Sequence, residues 1–241
     1  MSYDGPHTYL QNSDAGQSHR PVGRSTLASC YGRPVRVNVG CGASPTEGWT
    51  NFDNSLTVRL AAIPVARWLL RPSSFRALAI SGAVRFANAD RLPLEDASVE
   101  VVYSSHMIEH LDRGEARAFL AECRRVLLPG GILRLAVPDL RLIVDGYLTV
   151  GDADEMIART ILGRTRPTGL RGKARALVVG DREHHWMYDG PSLVRLVTAA
   201  GFDSAVIVPA GETTIPDAGP LDLKERADES VYVESRQPHS A

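Results

Sequence analysis

The sequence predicts an α/β protein, a mostly parallel sheet with helices on both faces. Three observations carry that expectation. Segments of strand and helix character alternate from about residue 35 onward, the pattern of strands joined by crossover helices. Val99–Tyr103 and Ile132–Val137 are almost unbroken apolar runs, as strands covered on both faces require. Finally, the apolar strand Val35–Val39 runs into the turn Gly40-Cys41-Gly42, and a second short strand closes on Asp53.

The elements follow in order. Strand character falls at 35–39, 50–53, 84–88, 99–104, 131–137, 204–208 and 230–235, where β-branched and apolar residues cluster between turn residues. Helical spacing falls at 56–70, 114–128, 139–149, 152–162 and 191–200. The last of these has Pro191 in its first turn and Gly201 past its end, a matched start and stop. Pro129-Gly130-Gly131 reads as a sharp turn that ends one helix before the next strand.

Composition narrows the functional classes. The chain has 241 residues, 44% of them apolar and 23% charged, as in a globular protein with a sizeable core. Its 27 basic and 28 acidic side chains leave a net charge of −1, which argues against a nucleic-acid partner. Three cysteines (Cys30, Cys41, Cys123) are too few for a disulfide framework, so a reduced, cytoplasmic setting is expected. The most apolar stretch, 56–70, contains Arg59, Pro64 and Arg67, and is too short and too charged to span a bilayer. Residues 1–33 are polar and aperiodic and read as a flexible leader, followed by one domain over 34–241.

The turn at 40–42 is where chemistry enters. Paired glycines let backbone lie against a ligand, and a carboxylate closing the next strand can grip the hydroxyls of a ribose. An enzyme that binds a dinucleotide needs a third glycine beside the pyrophosphate, but Pro45 stands there and offers no amide donor. The site therefore suits a nucleoside without phosphates, S-adenosylmethionine above all. An NAD-dependent oxidoreductase is disfavoured on the same ground.

Several segments in one order strengthen this reading: Val37-Asn38-Val39-Gly40-Cys41-Gly42, Asn51-Phe52-Asp53, Ala89 to Leu94, Ser98 to Leu111, and Arg125 to Gly131. Together they resemble the class I S-adenosylmethionine-dependent methyltransferases, in the type 11 group. The resemblance implies a Rossmann-like sheet of seven strands whose last runs antiparallel. It implies cofactor contacts from Asn38, Gly40, Cys41, Gly42, Asp53, Asn54, Asp90, Arg91, Leu92, Ser104 and Ser105, with Asp53 on the ribose and Asp90 on the adenine amino group.

Two departures stand out. Asn38 occupies a position that is usually acidic, and the interval from Gly42 to Asp53 is too short for a crossover helix. Such shortened forms resemble methyltransferases linked to bacterial glycan synthesis, which implies a carbohydrate hydroxyl as acceptor, such as that of a mannosyl-type oligosaccharide. Small aromatic, amine or lipid acceptors remain alternatives, as does a catalytically silent binding partner.

The acceptor side is read from residues past the central strands and from an insertion at about 150–190. His106, Glu109, Asp139, His184 and His185 are the candidate catalytic groups, because an alcohol nucleophile benefits from a base. Tyr147, Trp186 and Tyr188 are the candidate substrate contacts. A magnesium ion polarising a diol is compatible with these groups, although no ligand spacing demands one. His106-Met107-Ile108-Glu109-His110 matches the H-x-x-E-H pattern of some zinc peptidases. That peptidase reading is rejected, because the pattern follows directly on a strand and the helix after it is one turn long. Between Arg159 and Arg182 seven basic side chains face a single acid, Asp181, which suits an anionic acceptor or surface. A homodimer is compatible with the composition.

Overall fold

A computed structural model describes residues 35–61, 63, 74–162 and 183–239. The expected leader over 1–33, most of 56–70 beyond Ala61, and the basic stretch 163–182 lie outside the described residues.

Seven strands form one sheet in the order β3-β2-β1-β4-β5-β7-β6. They are β1 (Val35–Val39), β2 (Thr50–Asp53), β3 (Arg85–Phe86), β4 (Val99–Ser105), β5 (Leu127–Pro138), β6 (Asp203–Val208) and β7 (Ser230–Arg236). Pairing is parallel from β3 across to β5, and β7 runs antiparallel to both of its neighbours. The expected seven-stranded sheet with a reversed last strand is what forms.

The helices are α1 (Leu56–Ala61), α2 (Ser74–Ser81), α3 (Arg113–Val126), α4 (Leu140–Val150), α5 (Ala153–Thr160) and α6 (Gly190–Ala199). α3 shows how the sequence sets its own start and seat. Asp112 accepts from the amides of Gly114 and Glu115, and the Glu115 carboxylate returns to the Asp112 amide at 2.9 Å. That reciprocal cap contributes about 1 kcal/mol. Ala116, Phe119, Leu120, Cys123 and Val126 then form one buried stripe against Val37, Val39, Val102, Leu133 and Leu135 of the sheet. Asp189 caps α6 in the same way through Ser192, with Pro191 in the first turn.

Two elements differ from expectation. α2 was not legible, since Ser74–Ser81 is short and mixes Ser with apolar residues. Pro129-Gly130-Gly131 is not a turn but a bulge inside β5. The ladder steps from Val99–Leu127 to Val101–Ile132, so the extra residues bow out while the strand continues. Gly130 and Gly131 stay paired with Gln237 through the Gly130 amide and the Gly131 carbonyl.

The opposite face of the sheet is built differently. Side chains alternate along a strand, so Val37 and Val39 face α3 while Arg36 and Asn38 face away. No helix connects β1 to β2. Over the centre of that face lies the long β6–β7 connection, 209–229, whose Ile215 and Leu221 pack with Val101, Tyr103 and Ile132. A buried ion pair fastens it: Arg134 of β5 meets Glu234 of β7 at 2.5 Å, both almost fully enclosed. Arg134 also donates to the Glu212 and Leu223 carbonyls. Glu234 accepts from the Thr213 hydroxyl and from the amide and hydroxyl of Thr214. α1 and α2 cover the β2–β3 side with Val58, Ala61, Ala79 and Val84.

Candidate active site

The parallel strands present their C-terminal ends along one edge, where ligands of open α/β sheets bind. At the end of β1, Gly40 and Gly42 both take left-handed backbone angles, φ +74° and +52°. Gly40 is glycine because a Cβ there would drive into the Met107 side chain. At Gly42, by contrast, nothing lies within 4 Å of where a Cβ would stand. The turn is open on the side a ligand would use.

Asp53 faces this turn. One carboxylate oxygen accepts from the Gly42 amide at 3.1 Å and the other from the Ser55 amide at 2.8 Å. Each oxygen retains a lone pair, which suits the two hydroxyls of a ribose. The short β1–β2 link is held from within: Asn51 accepts from the Thr46 amide and donates to the Thr46 and Trp49 carbonyls, while Asn38 donates to the Thr46 hydroxyl. Asn38 is buried, and this bond places it as a brace for the link. Cys41 contributes backbone only. Its thiol packs with Val58 and Ala61, and burial together with the Asp53 charge pushes it up to about 12.

Asp90 and Asn54 are exposed at the same edge. The amides of Arg91 and Leu92, expected to face the adenine ring, are already donated, to the Asn88 carbonyl and to the Glu122 carboxylate. Arg125 completes this anchorage by reaching the Leu92 and Leu94 carbonyls and Asp96. Glu122 and Arg125 thus position the Asp90 segment, a role that only their approach across the fold reveals. Ser104, past the middle of β4, is buried with its hydroxyl unpartnered. An open glycine turn, a carboxylate with free lone pairs and an unfilled buried hydroxyl fit a phosphate-free nucleoside such as that of S-adenosylmethionine.

Beyond β4 the chain turns sharply at His106, φ +49°, into a single 3-10 turn over Ile108–His110. The His106 ring is spanned by Arg226 and Ser230, at 3.2 Å from Nδ1 and 2.8 Å from Nε2. Because a guanidinium only donates, Nδ1 accepts and Nε2 carries the proton toward the Ser230 oxygen. Burial, then the Arg226 charge, lowers His106 to about 3. Both nitrogens of the His106 ring are thus engaged, Nδ1 by Arg226 and Nε2 by Ser230. Arg226 and Ser230 had no signal in the sequence; the β6–β7 connection delivers them.

Glu109 is fully enclosed, 3.5 Å from His106 Nδ1 and 3.9 Å from His184 Nε2. Neither of its oxygens accepts a hydrogen bond of normal geometry. Burial pushes its carboxyl up to about 8, against the pull of its own amide and Arg226. Its carbonyl accepts from the amides of both His185 and Trp186 at 2.7 and 3.1 Å, which ties the 183–188 segment to the 3-10 turn. His184 is buried and lowered to about 4, first by desolvation and then by His110, whose ring stands 4.9 Å away edge-on. His185 is exposed.

The remaining candidates divide. Asp139 follows β5 and caps α4 through the Arg141 amide, with burial raising its carboxyl. Trp186 is 44% exposed, with the Arg113 guanidinium 4.6 Å over its ring. It lines a cavity of about 650 Å3 between α3 and α6, together with Arg113, Arg117, Leu140 and Arg195. Tyr147 is exposed on α4, outside that lining. Tyr188, expected at the substrate, is instead a core side chain packed among Leu193 and Val231's cluster, 1% exposed. Ser105 sits half-buried at the end of β4. Among the described residues no helix is long and apolar enough to cross a membrane.

The strand order, the reversed seventh strand and the glycine turn facing Asp53 make a Rossmann-like sheet whose opening turn meets a carboxylate. Residues 37–135 match the family model of a methyltransferase domain. A Mycolicibacterium smegmatis protein named a "probable S-adenosylmethionine-dependent methyltransferase" is 45% identical over 121 residues, 50% of this chain and 44% of that one. An O-methyltransferase of Aspergillus sclerotiorum is 32% identical over 127 residues, 51% of this chain and 45% of its own. The chain thus spans less than half the length of these relatives.

Solved structures resemble it at lower identity. A Methanosarcina mazei S-adenosylmethionine-dependent methyltransferase has 18% identity and a TM-score of 0.47, over 85% of this chain and 92% of its own. Phosphoethanolamine N-methyltransferase 2 of Haemonchus contortus has 10% identity and a TM-score of 0.44, over 86% and 49%. Over residues 37–135 the chain is similar to S-adenosylmethionine-dependent methyltransferases.

Proposed function

We propose that this protein is an O-methyltransferase that modifies a hydroxyl of a carbohydrate acceptor. The observation that carries it is the edge formed by β1 and β2, where the open Gly42 turn donates its amide to the Asp53 carboxylate. When bound, S-adenosylmethionine supplies a methyl group already activated on a sulfonium. Catalysis then asks the protein mainly for alignment and exclusion of water, worth ~7–11 kcal/mol of the barrier.

The residues divide those tasks. Asp53 holds the ribose, and the braced 43–49 link and the Arg125-anchored 88–96 segment fix the walls around the nucleoside. In this reading Asp139 and His185, half-buried and exposed respectively, take the proton of the acceptor hydroxyl at a carboxylate oxygen or an imidazole nitrogen. A sugar as acceptor is supported by the half-exposed Trp186, whose ring can back a pyranose, and by the arginines beside it. The O-methyltransferase name of the fungal relative supports oxygen as the nucleophile.

Calorimetry is expected to show S-adenosylhomocysteine binding and negligible NADH binding; the reverse outcome ends this reading. A homocysteine-release assay over mannosides, phenols and amines is expected to turn over the sugars. Turnover of phenols or amines alone replaces the acceptor class, and cofactor binding without any turnover favours a silent partner.

A further inference from the structure

The group around Glu109 brings three potential metal-ligand side chains together. Glu109, His110 and His184 each offer a ligand atom, all within 4.8 Å of one another. Glu109 has no exposed surface, His184 almost none, and neither Glu109 oxygen accepts a hydrogen bond of normal geometry. A carboxylate enclosed without donors is costly unless a cation or proton meets it.

The two rings are oriented as ligands. His110 Nδ1 lies 3.0 Å from the Glu183 carbonyl, which only accepts, so Nδ1 carries the hydrogen and Nε2 the lone pair. His184 Nδ1 lies 3.2 Å from the Met187 thioether, a weak acceptor, while Nε2 is turned toward Glu109. A histidine that donates one ring nitrogen to a carbonyl and offers the other to a metal is the usual second contact of metal sites. With Glu109 the two rings form a cluster whose potential ligand atoms lie within reach of one metal ion.

We propose that Glu109, His110 and His184 bind a divalent transition-metal ion of the zinc class. Two imidazoles and one carboxylate suit zinc, cobalt or nickel, whereas magnesium prefers oxygens and water. Bonds of about 2.0–2.1 Å would set tetrahedral ligand atoms about 3.3 Å apart, so the side chains close by little more than an ångström. The H-x-x-E-H stretch thus supplies Glu109 and His110 rather than its two histidines, since Arg226 occupies His106. The third ligand arrives from the 183–188 segment, so the ion clips that segment to the end of β4 and keeps one position open. This proposal does not depend on the identity of the acceptor.

The test uses the full chain, stripped with a chelator and then titrated with cobalt(II) or zinc(II). One equivalent of cobalt is expected to bind with the visible bands of a four-coordinate ion and without the near-ultraviolet band of a thiolate ligand. Zinc should raise the melting temperature, and equal magnesium should not. Glu109→Gln, close to isosteric, and His184→Ala are each expected to weaken zinc binding by about a hundredfold or more, above the 10–100-fold typical for losing an outer contact. A Cys30→Ser/Cys41→Ser variant should bind as the wild type does. The proposal is overturned if the wild type takes up no cobalt at one equivalent, if both ligand variants bind unchanged, or if binding is lost with the cysteines. S-adenosylhomocysteine affinity, measured in parallel, reports separately on the methyltransferase reading.

Discussion

The Arg134–Glu234 pair lets the seating of the β6–β7 connection be measured. Both side chains are almost fully enclosed, at 0% and 2% exposure, and the pair carries Glu212, Thr213, Thr214 and Leu223 with it. Arg134→Met removes one partner and leaves Glu234 charged and buried, which typically costs about 3–5 kcal/mol. For a chain of this size that corresponds to a melting point lower by about 6–20 °C. The double variant Arg134→Met/Glu234→Gln removes both charges and leaves an amide that still accepts from Thr214, so it should recover at least about 1 kcal/mol.

Acidity gives the same pair a second signature. Burial alone would raise the Glu234 carboxyl, but the bonds from Thr213, Thr214 and Arg134 outweigh it and hold it below its usual range. A carboxyl lowered in the folded state stabilises above its ordinary value of about 4.5 and loses that contribution as the pH falls below it. The stability gap between wild type and Arg134→Met should be full at neutral pH and shrink as acid protonates Glu234, first in the variant, where no arginine opposes the effect of burial. Urea unfolding of the three proteins at pH 7 and pH 4 reads all of this. A single variant that costs under about 1 kcal/mol, or a double variant no better than the single, refutes the reasoning.

Other outcomes follow from the cofactor edge. Gly40→Ala meets both Met107 and a left-handed backbone, so it should cost about 1–3 kcal/mol or more by chemical denaturation. Gly42→Ala has open space and should cost about 1 kcal/mol while lowering S-adenosylhomocysteine affinity in calorimetry; unchanged affinity would remove Gly42 from the site. Asp53→Asn keeps an acceptor for the Gly42 and Ser55 amides but loses its charge. It should weaken S-adenosylhomocysteine about tenfold to a hundredfold with little change in melting temperature. With its thiol pushed up to about 12, Cys41 is about one part in ten thousand thiolate at pH 8. In a Cys30→Ser background neither Cys41 nor Cys123 should react with a disulfide reagent until the protein unfolds, and rapid stoichiometric labelling of Cys41 would contradict its burial.

Much of the frame could be read in advance because its causes are local. Short, nearly continuous apolar runs set β1, β4 and β5, and Asp112 with Glu115 set the start of α3. Pro191 and Gly201 bracket α6, and Gly40, Gly42 and Asp53 lie within a stretch of fourteen residues. Each of those signals lies within a few residues of its effect. The bulge in β5 reads as a turn because Pro-Gly-Gly has the same letters in both, and only the pairing with Val99, Val101 and Gln237 decides between them.

The sequence by itself determined a parallel sheet, the start and stop of its last helix, and a glycine turn suited to a nucleoside with a link too short for a crossover helix. Tertiary structure alone decided what covers the exposed face, namely the 209–229 connection fastened by Arg134 and Glu234. It also decided the fate of the histidines, by bringing Arg226 and Ser230 against His106 and His184 against Glu109. The reason is physical. Backbone conformation follows from neighbours along the chain, whereas the protonation and availability of a side chain follow from charges and burial supplied by residues 75 to 124 positions away.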